Sequence, residues 1–311
     1  MTSTATRSDM GRSGIYAGLA LMVLAMLAVP SLDAFAKLLA RHMPPLEIAV
    51  GRFAVQLVMV AAYALATGRA RELVPDRLVP QLLRGVALAF TTLMFFTGLR
   101  VMPMADAIAI VFIEPVILTA FCAVFLKEKV VARRWVACGI GLIGGLVIVR
   151  PSLAIFGVNA LFPLGSAVCF ACYHLLNRHL AGRSSVIGAQ FTTSIAGCVV
   201  LAPALLVTSA LAVDGQTAIL PLGSDLPLFI GMGLVSVLSH SLILMAYDRV
   251  AAIVLAPFGY LEIVSATLLG YVIFGDFPAW PTWIGITLIV GSGLYSIIRE
   301  HQDMQPMEPA T

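Results

Sequence analysis

The sequence predicts an all-α polytopic membrane protein, with ten transmembrane helices forming two inverted-topology five-helix repeats. Three observations lead there. The 311 residues are 60% hydrophobic and 11% charged, with mean hydropathy +1.00, whereas a soluble domain carries about 25% charged residues. The apolar stretches run on for about 20 residues without the alternation of a barrel strand, so each fits a membrane-crossing helix. The two halves of the chain also match at an offset of 148 residues.

The spans follow in order. The first, 14–40, comes after Arg7 and Arg12 and ends at Arg41. Ala34-Phe35-Ala36 resembles a signal-peptidase site. The stretch is nevertheless long enough to span, and the repeat needs it, so it is retained as a helix. Spans 46–66 and 78–98 flank a basic connection with Arg69, Arg71 and Arg77. Span 104–126 opens after Pro103, and Lys127, Lys129, Arg133 and Arg134 separate it from span 130–149. In the second half the spans are 157–180, 186–209, 226–247, 252–274 and 280–298. The longest connection, 213–225, holds Gly215, Pro221, Gly223 and two aspartates, a loop composition.

Lysine and arginine placement orients the chain. With the N-terminus inside, fourteen of the nineteen fall in cytoplasmic segments, Arg84 among them. Arg41, Arg100 and Arg150 fall outside, and Lys37 and Arg52 lie within spans. Both ends are therefore expected in the cytoplasm.

Sliding the second half onto the first places Glu114 on Glu262, Trp135 on Trp283, Gly145 on Gly293 and Phe112 on Tyr260. Five spans per half is an odd number, so the second half enters the membrane from the opposite side. Inverted repeats of this kind build alternating-access transporters around a midplane site.

Glu114 and Glu262 each lie ten residues into their spans, about 15 Å deep at about 1.5 Å per residue. A bare carboxylate there requires a proton, a partner charge or a ligand. Both are candidate substrate- or proton-binding residues; the alternative is a neutral glutamate bracing helix packing. Phe112, Tyr260, Tyr173, His174, Asn177 and His240 are further candidates, by stacking or by hydrogen bonding. Asp33, Lys37 and Arg52 are expected to form an outer-side charge cluster. That cluster is either a gate or anion-contacting site, or a structural ion pair fixing the first hairpin. Pro30, Pro115 and Pro257 are expected to kink their helices, Pro115 by removing the hydrogen bond to the Val111 carbonyl.

Other motifs carry less. The five cysteines fall in apolar runs, and Cys169-x-x-Cys172 has no second pair, so no metal or redox site is expected. Gly141-x-x-x-Gly145 suits close packing against the tenth span or against a second copy in a homodimer. No phosphate-binding loop, zinc-protease helix or nucleophile elbow is present, so neither direct ATP use nor an intramembrane enzyme is expected, and no cofactor or nucleic-acid partner.

Several ordered pieces resemble the drug/metabolite transporter superfamily, EamA type. In the first half they are Pro45-Leu46-Glu47 with Arg52-Phe53, Leu83-Arg84-Gly85, Pro103-Met104-Ala105-Asp106-Ala107, Phe112-Ile113-Glu114-Pro115 and Lys127-Glu128-Lys129. In the second they are Leu255-Ala256-Pro257, Leu269-Gly270-Tyr271 and Phe274-Gly275-Asp276. The resemblance implies one repeat over 1–151 and another over 152–311, the latter with a short cytoplasmic tail. It also implies a cavity lined by the first four helices of each half, with the fifth and tenth peripheral. Asp33 with Lys37, Leu83-Arg84-Gly85 and Tyr260-Leu261-Glu262 look closest to bacterial vitamin and cofactor importers of the cytoplasmic membrane. The implied function is uptake of a small molecule such as riboflavin, with a proton as candidate coupling ion. Alternatives are S-adenosylmethionine uptake, amino-acid or drug export, and flipping of a lipid head group.

Overall fold

The computed structural model describes residues 5–74, 77–125, 132–180, 185–213, 217–219, 221, 223–247, 249–250 and 258–304. Among them there is helix and no strand. The helices are α1 (Ala5–Leu39), α2 (Pro45–Ala66), α3 (Leu78–Leu99), α4 (Met104–Val111), α5 (Glu114–Phe125) and α6 (Ala132–Phe156) in the first half. In the second half come α7 (Leu161–Leu180), α8 (Val186–Ala210), α9 (Leu226–Tyr247), α10 (Leu261–Phe274) and α11 (Trp280–Met304).

Among the described residues seven stretches are long and apolar enough to cross a membrane, making this a multi-pass membrane protein. That is fewer than the ten spans expected. One stretch, Trp135–Asn177, takes in α6, the turn after it and most of α7, and α10 is apolar but short.

Few charges lie within the helices, so they are held by close packing and by hydrogen bonds of small polar side chains. α1 lies along α9 and α10, and α3 along α7 and α8. α2 lies against α8 and α9, α4 and α5 against α7, and α6 against α11. Phe53, Phe96, Ile110, Leu201 and Met232, drawn from both halves, belong to one fully buried core. The halves are therefore interleaved.

Glycine sets the closest approach. A Cβ on Gly285 would lie 2.7 Å from the Gly144 carbonyl oxygen, and one on Gly144 would lie 2.9 Å from the Gly285 carbonyl oxygen. α6 and α11 thus meet backbone to backbone at Gly144, while Gly145 packs over the side chain of Ile113.

The long fourth span is interrupted. α4 ends at Val111, Phe112 and Ile113 form a turn, and α5 begins at Glu114. Pro115 therefore sits in the first turn of a new helix, where a missing N–H costs little. This differs from the expected bend within one continuous helix. In the second half Tyr260 is likewise a turn residue, and α10 begins at Leu261, placing Glu262 in its first turn. At Pro30, α1 continues as helix. Pro257 lies outside the described residues.

Candidate transport cavity

The interrupted fourth span and the start of α10 face a cavity of about 300 Å³. Its walls come from α1, α2, α3, α4, α5, α7, α9 and α10. The fifth and last long helices, α6 and α11, contribute nothing to it, and neither does α8. Most of the wall is apolar: Met22, Met26, Val29 and Leu32 on α1, and Phe95, Phe96, Phe112 and Phe170 elsewhere.

Charged and titratable groups converge on this greasy surface. Asp33, Arg52, Glu114, Glu262, His174 and His240 all line it. Asp33 lies within electrostatic reach of both Glu262 and Arg52. Arg52 donates from Nη1 to the Thr92 hydroxyl, while its Nε is sealed from solvent without a partner. Glu114 Oε1 is likewise sealed and accepts no hydrogen bond. A carboxylate in the first turn of a helix sits at the positive end of the dipole, which favours negative charge there. Both glutamates have that position.

The other sequence candidates flank the cavity. The rings of Phe112 and Tyr260 are 5.6 Å apart and tilted by 32°, so the two residues related by the 148-residue offset touch each other. Tyr173 stacks on Phe170 at 5.8 Å and 7°, and His174 presents an edge to Phe170 at 4.4 Å. His240 Nδ1 lies 2.8 Å from the Ser236 carbonyl oxygen. Asn177 is turned away, accepting from Arg84 Nη1 at 3.5 Å.

The expected cluster of Asp33, Lys37 and Arg52 divides. Lys37 leaves it: Nζ donates to Asp276 Oδ2 at 2.5 Å and to the Met102 carbonyl at 2.8 Å, over the ring of Phe274. Lying one turn beyond Asp33 on α1, it reaches the α10–α11 connection more easily than the cavity. Glu47 is engaged at that end too, its Oε2 accepting from the Ile219 backbone N–H at 3.0 Å. His42 pairs with Asp225 at 3.2 Å at the same end of the molecule. Arg84 also departs from expectation. It is not a loop charge but lies within α3, buried, donating to the Ala189 carbonyl at 2.8 Å.

Sequence reasoning missed Thr91, Thr92, Ser166 and Ser239 on the cavity wall. Ser166 donates to the Thr91 carbonyl at 2.9 Å, joining α7 to α3. No sequence signal marks such residues, because Ser and Thr anywhere in a helix can bond the carbonyl one turn back, as Thr91 and Ser239 also do. Cys169 and Cys172 are unbonded, and among the described residues no group of three acidic, histidine or cysteine side chains could hold a metal.

Comparison with known proteins fits this geometry. The chain is 27% identical over 287 residues to the S-adenosylmethionine uptake transporter of Rickettsia felis, covering 92% of this chain and 94% of the relative. It is 30% identical over 203 residues to the riboflavin transporter of Rhizobium johnstonii, covering 65% of each. A solved crystal structure superposes with TM-score 0.64 at 18% identity, covering 92% of this chain and 99% of the other. The EamA-like transporter family matches twice, over residues 16–150 and 158–298. With both matches together spanning most of the sequence, the chain belongs to the EamA-like transporter family.

Proposed function

We propose that this transporter takes up a small organic metabolite of the vitamin or cofactor class through the cavity, by alternating access of two inverted repeats. One observation carries the proposal. Asp33, Arg52, Glu114 and Glu262 line a single apolar cavity between the halves, and each glutamate lies in the first turn of a helix that follows a turn. Discontinuous helices at a midplane site are the usual substrate and ion sites of inverted-repeat transporters. The volume suits a compact ligand at the lower end of the usual range of about 300–1,000 Å³.

Helix contacts support the repeat. Exchanging the two halves carries α1–α9 onto α7–α3, α3–α8 onto α9–α2, and α1–α10 onto α7 against α4 and α5. The α2–α8 and α6–α11 contacts map onto themselves. Such a molecule would sit in the bacterial cytoplasmic membrane with both ends inside and move its substrate unchanged, with Glu114 or Glu262 taking a coupling proton.

The relatives' names suggest the two first substrates to try, riboflavin and S-adenosylmethionine. Purified protein should show a raised melting temperature with one of them, since binding to the folded state alone stabilises it. The same compound should enter liposomes containing the protein. Absence of flux for both, with the protein folded, would overturn the proposal.

A further inference from the structure

Among the charged groups on the cavity wall, Glu114 stands apart. Arg52 is at hand for Asp33. No lysine or arginine among the described residues pairs with Glu114, and Oε1 is buried without a hydrogen-bond donor. Leaving a buried carboxylate oxygen unsatisfied is costly, so the side chain as it stands is incomplete. Its surroundings show what would complete it. The Phe112 ring precedes it in the turn and meets Tyr260. Val111 and Pro115 adjoin this turn in the chain, and Met22 and Met26 line the same cavity.

A carboxylate among aromatic and thioether groups suits a cation of low charge density. Ring faces attract such a centre, and apolar walls do not compete for its weak hydration. A small inorganic cation needs several oxygen ligands, and among the described residues no group of three acidic, histidine or cysteine side chains could hold one. The second orphan on the wall has the opposite character: Arg52 Nε is a buried donor with no acceptor.

We infer that Glu114, with Phe112 and Tyr260, is the subsite for a fixed organic cation, a sulfonium or quaternary ammonium centre. Arg52 takes an acceptor on the same ligand. This rests on the uptake function proposed above and narrows it to an onium compound that also carries a carboxylate or carbonyl. A neutral vitamin offers Glu114 a hydrogen-bond donor but no compensating charge.

The test is equilibrium binding to the purified protein at one pH. It uses S-adenosylmethionine, its uncharged thioether S-adenosylhomocysteine, and riboflavin. The thioether should bind about tenfold more weakly or worse than the sulfonium, the size of one lost charge-assisted contact. Glu114→Gln, which keeps the side-chain shape, should erase most of that difference by weakening the sulfonium more than the thioether. Glu114→Asp should restore part of it, and a ligand-free melting temperature close to the parent protein's shows that Glu114→Gln is folded. Equal binding of sulfonium and thioether, or a preference unaffected by Glu114→Gln, overturns the assignment. Riboflavin binding and flux with no response to S-adenosylmethionine overturns it as well, while leaving vitamin uptake standing.

Discussion

Arg52 and Asp33 show how a buried charge is accommodated without a direct ion pair. Arg52 has Thr92 as its hydrogen-bond partner and Asp33 as a nearby opposite charge. The long-range attraction is insensitive to which residue carries which sign, but the Thr92 bond is not. Exchanging the charges with Asp33→Arg and Arg52→Asp is therefore expected to leave uptake near background, although the net charge is kept. Recovery of both melting temperature and uptake in the double variant would show a structural ion pair instead. Glu262 differs from Glu114 in having Asp33, and through it Arg52, close by. Glu262→Gln should lower the uptake rate about tenfold or more while membrane expression changes little, because an isosteric amide still fills its place in the wall. Uptake kinetics equal to the parent protein's would remove Glu262 from the transport site.

At the level of helices, two contacts are open to direct measurement. Gly285→Val inserts three carbons where a single Cβ would already meet Ile148 at 2.2 Å and the Gly144 carbonyl at 2.7 Å. It should destabilise the protein by about 1–3 kcal/mol, read as a lower unfolding midpoint in detergent. Gly291→Val on the same helix, with open space around it, is the control and should change little. Lys37 and Asp276 tie α1 to the α10–α11 connection. The side chains are 13% and 31% exposed, so a double-mutant cycle of Lys37→Met and Asp276→Asn should give a coupling of about 1 kcal/mol. Legibility in the sequence divides along the same lines. Long apolar runs locate the helices because each crossing must satisfy its own backbone. Glu114 and Glu262 are legible because charge in such runs is costly. The helix break at Phe112 is hidden, since turn and helix are equally apolar there. Lys37 pairs with a residue 239 positions away, which spacing on α1 cannot reveal.

Polar contacts across the whole molecule sort themselves by end. Lys37 with Asp276 and Met102, His42 with Asp225, and Glu47 with Ile219 join connections that the charge pattern assigns to the outside. At the other end, Gly188 packs on the Glu72 carbonyl and Gly18 on Val250. There Arg69 donates to Glu72 at 2.6 and 3.0 Å, holding that carboxyl below its ordinary value. The connections thus alternate between two faces, as a chain crossing the membrane repeatedly must do. Moving Arg84 into α3 takes one charge from the inside count, yet a large excess of lysine and arginine remains on that face. Orientation is then a measurable consequence. In a cysteine-free background, Thr217→Cys and Arg71→Cys replace exposed residues on opposite faces. A membrane-impermeant maleimide should label Thr217→Cys in intact cells, and Arg71→Cys only after permeabilisation. The reverse pattern would invert the orientation while keeping the fold. Labelling of both in intact cells would mean that positions 71 and 217 share a face, which two five-helix repeats of opposite topology cannot produce.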